Sequence, residues 1–268
     1  MSNDTPSMIE LLDLEELDRD LYRGVNENPE GARPNLYGGQ VAAQALRAAS
    51  LTVPDDRLPH SLHGYFLRTG RRDRPVLFKV DRDRDGRSFS ARRVVAVQDG
   101  EVIFDMTASF HRHEHSGEYV PAMRQGLPGP GPELTERRSF TIHNGVVAPI
   151  PPTRVNRFGD DVSDKFWVKV KQSIGDDPIV QACALTYLSD IGSGFALVDI
   201  PDLPLGGPSL DHSVWFRSAI RVDDWCLLDL SPMMAGGARG LYQGTIHSAD
   251  GVLGAMVAQE MLLRPIIE

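Results

Sequence analysis

Tyr37-Gly38-Gly39-Gln40-Val41-Ala42-Ala43-Gln44-Ala45-Leu46-Arg47-Ala48-Ala49 is the stretch on which the fold turns. Two glycines lead into a nine-residue run that holds five alanines. Alanine is both the best helix former and the smallest side chain that keeps a Cβ, so the run reads as a helix. Its small residues are not confined to one stripe, and neighbours should approach it closely from several sides, as when a curved sheet wraps around a helix. Gly38 and Gly39 would let the backbone lie close to a bound ligand, with free amides at the positive end of the helix dipole. The same pair equally suits tight packing of the helix against its neighbours.

Around this helix the chain has room for one large domain or two ordinary ones in 268 residues. Its composition, 41% apolar and 24% charged, is that of a soluble globular protein, and it has no apolar run of the roughly 18 to 20 residues that a membrane span needs. Met1 to Leu11 carries Asp4 and Glu10 and lacks a basic start followed by an apolar core, so no secretory signal is expected. Cys183 and Cys226 are the two cysteines, too few for a disulfide framework or a metal-ligand pattern. A cytoplasmic protein without a membrane partner is expected. The formal net charge of -9 argues against nucleic-acid binding, which needs a strong cationic field.

Upstream of the helix, residues 8–20 read as a short acidic amphipathic helix, and Leu21 to Gly24 as a brief strand. Downstream, four runs alternate apolar and polar residues: His60 to Leu67, Val76 to Arg82, Ser88 to Gln98 and Glu101 to His111. Asp99-Gly100 forms the hairpin turn between the last two. Gly117 to Pro152, marked by Gly/Pro-rich ends, reads as a surface connector. Phe166 to Lys171 is a strand. Asp177-Pro178 then opens a second helix, with aspartate as cap and proline in the first turn.

The second helix echoes the first. Ala43, Ala45, Leu46 and Ser50 recur at the same spacing as Ala182, Ala184, Leu185 and Ser189; His60-Ser61 recurs as His212-Ser213, and Asp99-Gly100 as Asp250-Gly251. Three coincidences in one order point to a tandem duplication. The expected division is an N-terminal repeat over 1–116, a linker over 117–152 and a C-terminal repeat over 153–268.

A helix enclosed by a curved antiparallel sheet, present twice in one chain, is the double hotdog arrangement, an α+β fold. Four stretches make the chain similar to the bacterial acyl-CoA thioesterase II family over nearly its whole length: Tyr37 to Val41, His60 to Arg68, Asp85 to Arg93, and Leu210-Asp211-His212-Ser213-Val214-Trp215-Phe216. The resemblance implies hydrolysis of fatty acyl-CoA thioesters, with no metal, no cofactor and no covalent intermediate. It also implies an acid, a hydroxyl residue and a glutamine that together hold one water. The acid falls on Asp211 and the glutamine on Gln259. The hydroxyl position falls on Met233, a departure from the pattern.

The chemistry asks for a water nucleophile, an acceptor for its proton, and donors where negative charge develops. Asp211 can take the proton, and Gln259 offers an acceptor and two donors. The first half carries Pro59 and Ala108 at the corresponding positions, so the chemistry is expected once per chain. A thioether cannot donate a hydrogen bond. Ser231, two residues before Met233 and roughly 6 to 7 Å away along a strand, is a candidate substitute if a bulge near Pro232 brings it closer. Gly38, Gly39 and Met233 are the expected substrate-binding residues. With the hydroxyl absent, an alternative is an acyl-CoA binding protein with weak or no turnover. The arginines of 68–74 and 82–93 could meet coenzyme A phosphates, but most alternate with aspartate and read as a solvated surface. His111, His113 and His115 alternate as ligands on a strand might, yet they sit where the sheet gives way to the connector and are not read as a metal site. Sheet edges and back faces of hotdog units commonly pair, so a homo-oligomer is expected.

Overall fold

The computed structural model of the protein describes residues 6–29, 34–136, 142–156, 159–199 and 207–264. The chain opens on a short helix, α1 (Met8–Leu12), whose capping box pairs Ser7 with Glu10. The helix stops there instead of running to residue 20. Asp13, Glu15, Glu16 and Asp18 would place like charges three residues apart on a helix surface. The acidic stretch is instead strand β1 (Glu15–Asp18), paired with β2 (Leu21–Gly24), where Arg23 meets Glu15 across the ladder.

Next comes α2 (Gly38–Ser50), the alanine-rich helix. Every residue of it except Gly38 and Arg47 is buried. It packs against α1, against the second long helix, and against strands β3 (Arg57–Phe66), β4 (Val76–Asp85), β5 (Phe89–Gln98) and β6 (Glu101–Arg112). Its two buried glutamines are satisfied by the N-terminal arm: Gln44 Nε2 donates to Leu11 O at 2.9 Å and Val25 O at 2.7 Å, and Gln40 Nε2 donates to Asn26 Oδ1 at 2.9 Å. Asp99 and Gly100 both adopt positive φ, as the two-residue turn between β5 and β6 requires.

The expected connector is only partly one. It contains α3 (Pro132–Thr135) and β7 (Gly145–Pro149), and residues 137–141 lie outside the described set. Val146-Val147-Ala148 is a short apolar run between the Gly/Pro markers, and it covers the edge of β10 (Lys165–Val170). Leu134, Ala148, Ile150, Trp167 and Leu227 form a second small core there, and Trp167 Nε1 donates to Pro128 O at 2.8 Å. The two-residue strands β8 (Arg154–Val155) and β9 (Asp161–Val162) pair with each other between β7 and β10 in sequence.

Helix α4 (Pro178–Ser189) starts as its sequence predicts, with the Asp177 carboxylate accepting from Ile179 N at 2.8 Å and Val180 N at 3.4 Å. Such a cap contributes about 1 kcal/mol. Strands β11 (Asp211–Phe216), β12 (Cys226–Gly236), β13 (Arg239–Ser248) and β14 (Leu253–Leu262) complete the chain. Twelve strands form one antiparallel sheet in the order β1-β2-β4-β5-β6-β3-β11-β14-β13-β12-β10-β7. The order β2-β4-β5-β6-β3 is matched, element for element, by β10-β12-β13-β14-β11. The two runs meet along β3 and β11, where Leu62 stands opposite Val214. Helices α2 and α4 pack against each other, so the main core is continuous across the junction.

Candidate active site

Strand β14 turns Gln259 inward, opposite Tyr242 of β13, which in turn stands opposite Pro232 of β12. The next residue on β14, Glu260, donates its backbone N–H to Asp211 Oδ1 at 2.6 Å. The row through Pro232, Tyr242 and Gln259 continues on β11 with His212, whose Nδ1 faces Gln259 Oε1; Asp211 stands in the next row, beside Glu260. The regular ladder between β11 and β14 begins at Ser213 opposite Ala258. Ahead of it the Asp211 carboxylate stands in for a backbone carbonyl, leaving its other oxygen with no partner among the described residues.

The remaining expected residues are distributed differently. The bulge near Pro232 is present, as a register shift between Pro232 and Met234. It leaves Ser231 opposite Gln243, whose exposed side chain is on the face away from Tyr242 and Gln259, so Ser231 is not brought to the glutamine. Strand alternation explains this: residues 242 and 243 point to opposite faces, and Ser231 follows 243. Met233 is 54% exposed on the bulge. Met234, with Ala235, Gly236, Arg239, Leu241 and Glu260, lines a groove of about 250 Å³. Arg239 and Glu260 close one side of it as an ion pair at 2.8 Å.

Gln259 is 2% exposed, and its amide joins a buried network. Nε2 donates to Asp190 Oδ1 at 2.9 Å and to Ser209 Oγ; Oε1 faces His212 Nδ1. His212 Nε2 lies 2.7 Å from Ser189 Oγ, and Ser209 Oγ donates to Asp190 Oδ1 at 3.2 Å. Asp190 is the C-cap of α4. Burial pushes its carboxyl above the usual 3.8, an effect opposed by His212, Gln259, Ser209 and the Gly39 N–H, all of which favour the ionised form. Burial lowers His212 below its usual 6.5, against the pull of Asp190. The phenols of Tyr37 and Tyr242 rise well above 10 through burial, with Asp190 adding to both.

The glycine pair meets this network from the other half of the chain. The Gly39 N–H favours the ionised form of Asp190, and a Cβ built on Gly39 would lie 2.5 Å from Tyr187 O. A Cβ on Gly38 would lie 2.7 Å from Asp190 Oδ2. Gly38 is partly exposed and, as the first helical residue, its amide has no intrahelical acceptor. The arginine stretches are mostly paired: Arg71 with Asp73, Arg82 with Asp20, Arg93 with Asp105, and fully buried Arg92 with Asp85.

The chain matches the family model of the acyl-CoA thioesterase N-terminal domain over residues 28–111 and that of the C-terminal domain over residues 118–263. It is 31% identical to acyl-CoA thioesterase 2 of Haemophilus influenzae, with 98% of this chain and 99% of that protein covered. The chain belongs to the acyl-CoA thioesterase II family. Mouse acyl-coenzyme A thioesterase 8 is 36% identical, with 98% of this chain and 91% of that protein covered. The crystal structure of acyl-CoA thioesterase II TesB2 from Mycobacterium marinum superposes with a TM-score of 0.75 at 36% identity, covering 96% of this chain and 97% of that one. A hot dog fold protein from Alicyclobacillus acidocaldarius superposes with a TM-score of 0.72 at 19% identity, over 98% of this chain and 100% of that one, a likeness of fold alone. This acyl-CoA thioesterase thus has the hot dog fold and is a thioester hydrolase.

Three residues of the thioesterase network were not anticipated: Ser189, Asp190 and Ser209. Asp190 does leave a trace in the sequence. An acid at the C-terminal end of a helix opposes the helix dipole, and the first helix has Leu51 at the matching position. Ser209, two residues before Asp211 and just after a Gly/Pro-rich loop of which 200–206 lie outside the described residues, carries no comparable signal.

Proposed function

We propose that fatty acyl-CoA is hydrolysed beside the start of β11, with one water held between the Asp211 carboxylate and Gln259. The water oxygen attacks the thioester carbonyl carbon and Asp211 takes its proton. The C–S bond then breaks, the thiolate leaves as coenzyme A and is reprotonated, and the acyl group leaves as the free acid. The Gly38 amide is the donor assigned to the carbonyl oxygen as negative charge develops there. The groove beside Met234 and Leu241 is the apolar wall assigned to the acyl chain.

The observation that supports this reading is the hydrogen bond from the Glu260 N–H to Asp211 Oδ1, which brings the acid next to the residue that follows Gln259, although 211 and 259 lie 48 positions apart in sequence. The same reading takes the chain as a double hotdog, divided near 1–116, 117–152 and 153–268. The matched strand orders of the two halves and the two family-model ranges support it. It further takes the enzyme to be cytoplasmic and homo-oligomeric. Among the described residues no helix is long and apolar enough to cross a membrane, and Tyr65, Trp215 and Met256 stand exposed on the central strands. Light scattering checks the oligomer.

The decisive experiment follows free thiol released from acyl-CoAs of several lengths by the wild type, Asp211→Asn and Gln259→Ala. Loss of turnover by both variants, with acyl-CoA still bound, is the expected result. Full activity in either would remove that residue from the chemistry.

A further inference from the structure

We propose that the gap where β3 outruns β11 is a separate binding site, and that it takes a short aliphatic monocarboxylate, with the carboxylate on His111 and the alkyl chain against α4.

The sheet is interrupted at this point. The last pair between the two strands is Ser61 opposite Trp215, yet β3 begins four residues earlier, at Arg57. At the other end of the same junction the pairing runs on past the start of β11, where Leu210 O accepts from Phe66 N at 2.9 Å. An unpaired strand edge invites an extended neighbour, and Pro59 blunts this one because it has no N–H to give. The gap holds a cavity of about 150 Å³, walled on one side by Pro178, Gln181, Ala182 and Leu185. Their spacing of three and four places them on one face of α4. Residues 216–220, where the chain leaves β11, form another wall. Asp190, Asp211 and Gln259 do not line the cavity, and Asp190 caps the opposite end of α4, about 18 Å away by helix rise.

The wall chemistry selects the ligand. Leu58, Pro59, Leu185, Phe216 and Ile220 make it largely apolar. The ionisable lining residues are His60, His111, His113 and Arg217, with no aspartate or glutamate, in a chain of 37 acidic against 28 basic residues. An anion is therefore favoured over a cation. Among the described residues no three histidine, cysteine or acid side chains converge as metal ligands. Several polar groups of the wall are already engaged. His60 Nε2 lies 2.7 Å from Ser109 Oγ, and Arg217 pairs with Glu118 at 2.6 Å. Gln181 donates to Gly175 O at 2.7 Å and accepts from Val222 N at 2.8 Å. His111 differs, because its Nε2 is buried with no hydrogen-bond partner, a costly state for a polar atom. Glu114 Oε1 is 3.7 Å away, too far to serve, and its side chain stays largely in solvent. Stacking on Phe89, with ring centroids 4.3 Å apart, fixes the imidazole.

The half-buried Ser218 supplies a second hydroxyl donor on the same wall. One carboxylate suits the His111 Nε2–H and the Ser218 hydroxyl as donors, whereas a phosphate dianion would be left short of partners. A cavity of this volume admits a molecule the size of benzene, and butyrate likewise has about six non-hydrogen atoms.

The test is butyrate binding to the full chain, followed by nuclear magnetic resonance of isotope-labelled histidine, with His111 assigned by His111→Phe, which keeps a ring on Phe89. Butyrate is expected to shift the His111 Nε2 signal with a dissociation constant of about 0.1–3 mM, the scale open to so few atoms. Butyramide, neutral and of the same shape, is expected to bind about tenfold more weakly, the loss of a charge-assisted hydrogen bond. Ala219→Phe, which fills the cavity from an exposed position, is expected to weaken butyrate about tenfold as well. Gln259→Ala should leave its affinity within about twofold, as for a distant site. No His111 response at about 30 mM butyrate, equal binding of butyramide, or unchanged binding in Ala219→Phe would each overturn the proposal. A response that disappears in Gln259→Ala would place the carboxylate at the hydrolytic site and overturn it too. Should His111→Phe not fold, calorimetric titration of the wild type and Ala219→Phe with butyrate and butyramide decides by the same criteria.

Discussion

The two halves of the molecule share a skeleton and differ in chemistry. Each has a helix ending in serine followed by a strand bearing a histidine. In the second half Ser189 turns back to Thr186 O at 2.9 Å and also lies 2.7 Å from His212 Nε2, and the histidine is completely buried against Gln259. In the first half Ser50 turns back to Leu46 O at 2.8 Å, and the half-buried His60 sits in a bulge with Ser109 Oγ at 2.7 Å. The residue after the serine is Asp190 in one and Leu51, 42% exposed, in the other. On the proposed reading, an acid at the helix end and an amide on the strand separate a site from a scaffold. The first half still contributes the Gly39 N–H, which favours the ionised acid.

The difference between the halves can be broken or sharpened by substitution. The largest effect is expected from Asp211→Asn and Gln259→Ala, each lowering kcat by about 10² to 10³, the scale of removing one group that stabilises a developing charge. Thiol release in saturating acyl-CoA measures it, and His60→Ala, at the first-half counterpart of His212, should change the rate by less than about twofold. Asp190→Leu, which writes the first-half residue into the second, should cost about tenfold to a hundredfold in kcat.

The pH profile offers a separate reading of the same group. Burial raises the Asp190 carboxyl above 3.8, so it takes up a proton at a higher pH than an ordinary aspartate does. The protonated form no longer needs the amide's donor, and activity should fall on the acid side through that raised value. Asp190→Asn, which cannot titrate, should lack this limb. An identical acid limb in both proteins would contradict it.

Smaller effects concern the packing and the vacant hydroxyl position. Gly39→Ala places a Cβ 2.5 Å from Tyr187 O, which should destabilise the protein by about 1–3 kcal/mol, the usual cost of overpacking. Thermal unfolding measures this. Met233→Thr should raise kcat by less than about tenfold, since a hydroxyl on an exposed bulge is only partly shielded from water.

Much of this was legible in the residues. The alanine-rich run, the hairpin Asp99-Gly100 and the cap Asp177 are local signals, and each marks a real element. The acidic start misled because apolar spacing was read without its charges, and β7 was hidden because a five-residue edge strand sits between Gly/Pro-rich markers. Counting from the hairpins equates Gln259 with Ala108. In the structure Ala108 stands opposite Leu62, whereas Gln259 reaches the histidine, so the two halves pair their strands in different registers.

Local order and the family are carried by stretches of residues close in sequence, and the chain alone determined them. The side chain of Gln259 meets Asp190, Ser209 and His212, and Gly38 leaves room beside Asp190 from about 150 positions away in sequence. Hydrogen-bond direction and burial are set by which groups meet, and only the packing of α2 against α4 and of β11 beside β14 decided that.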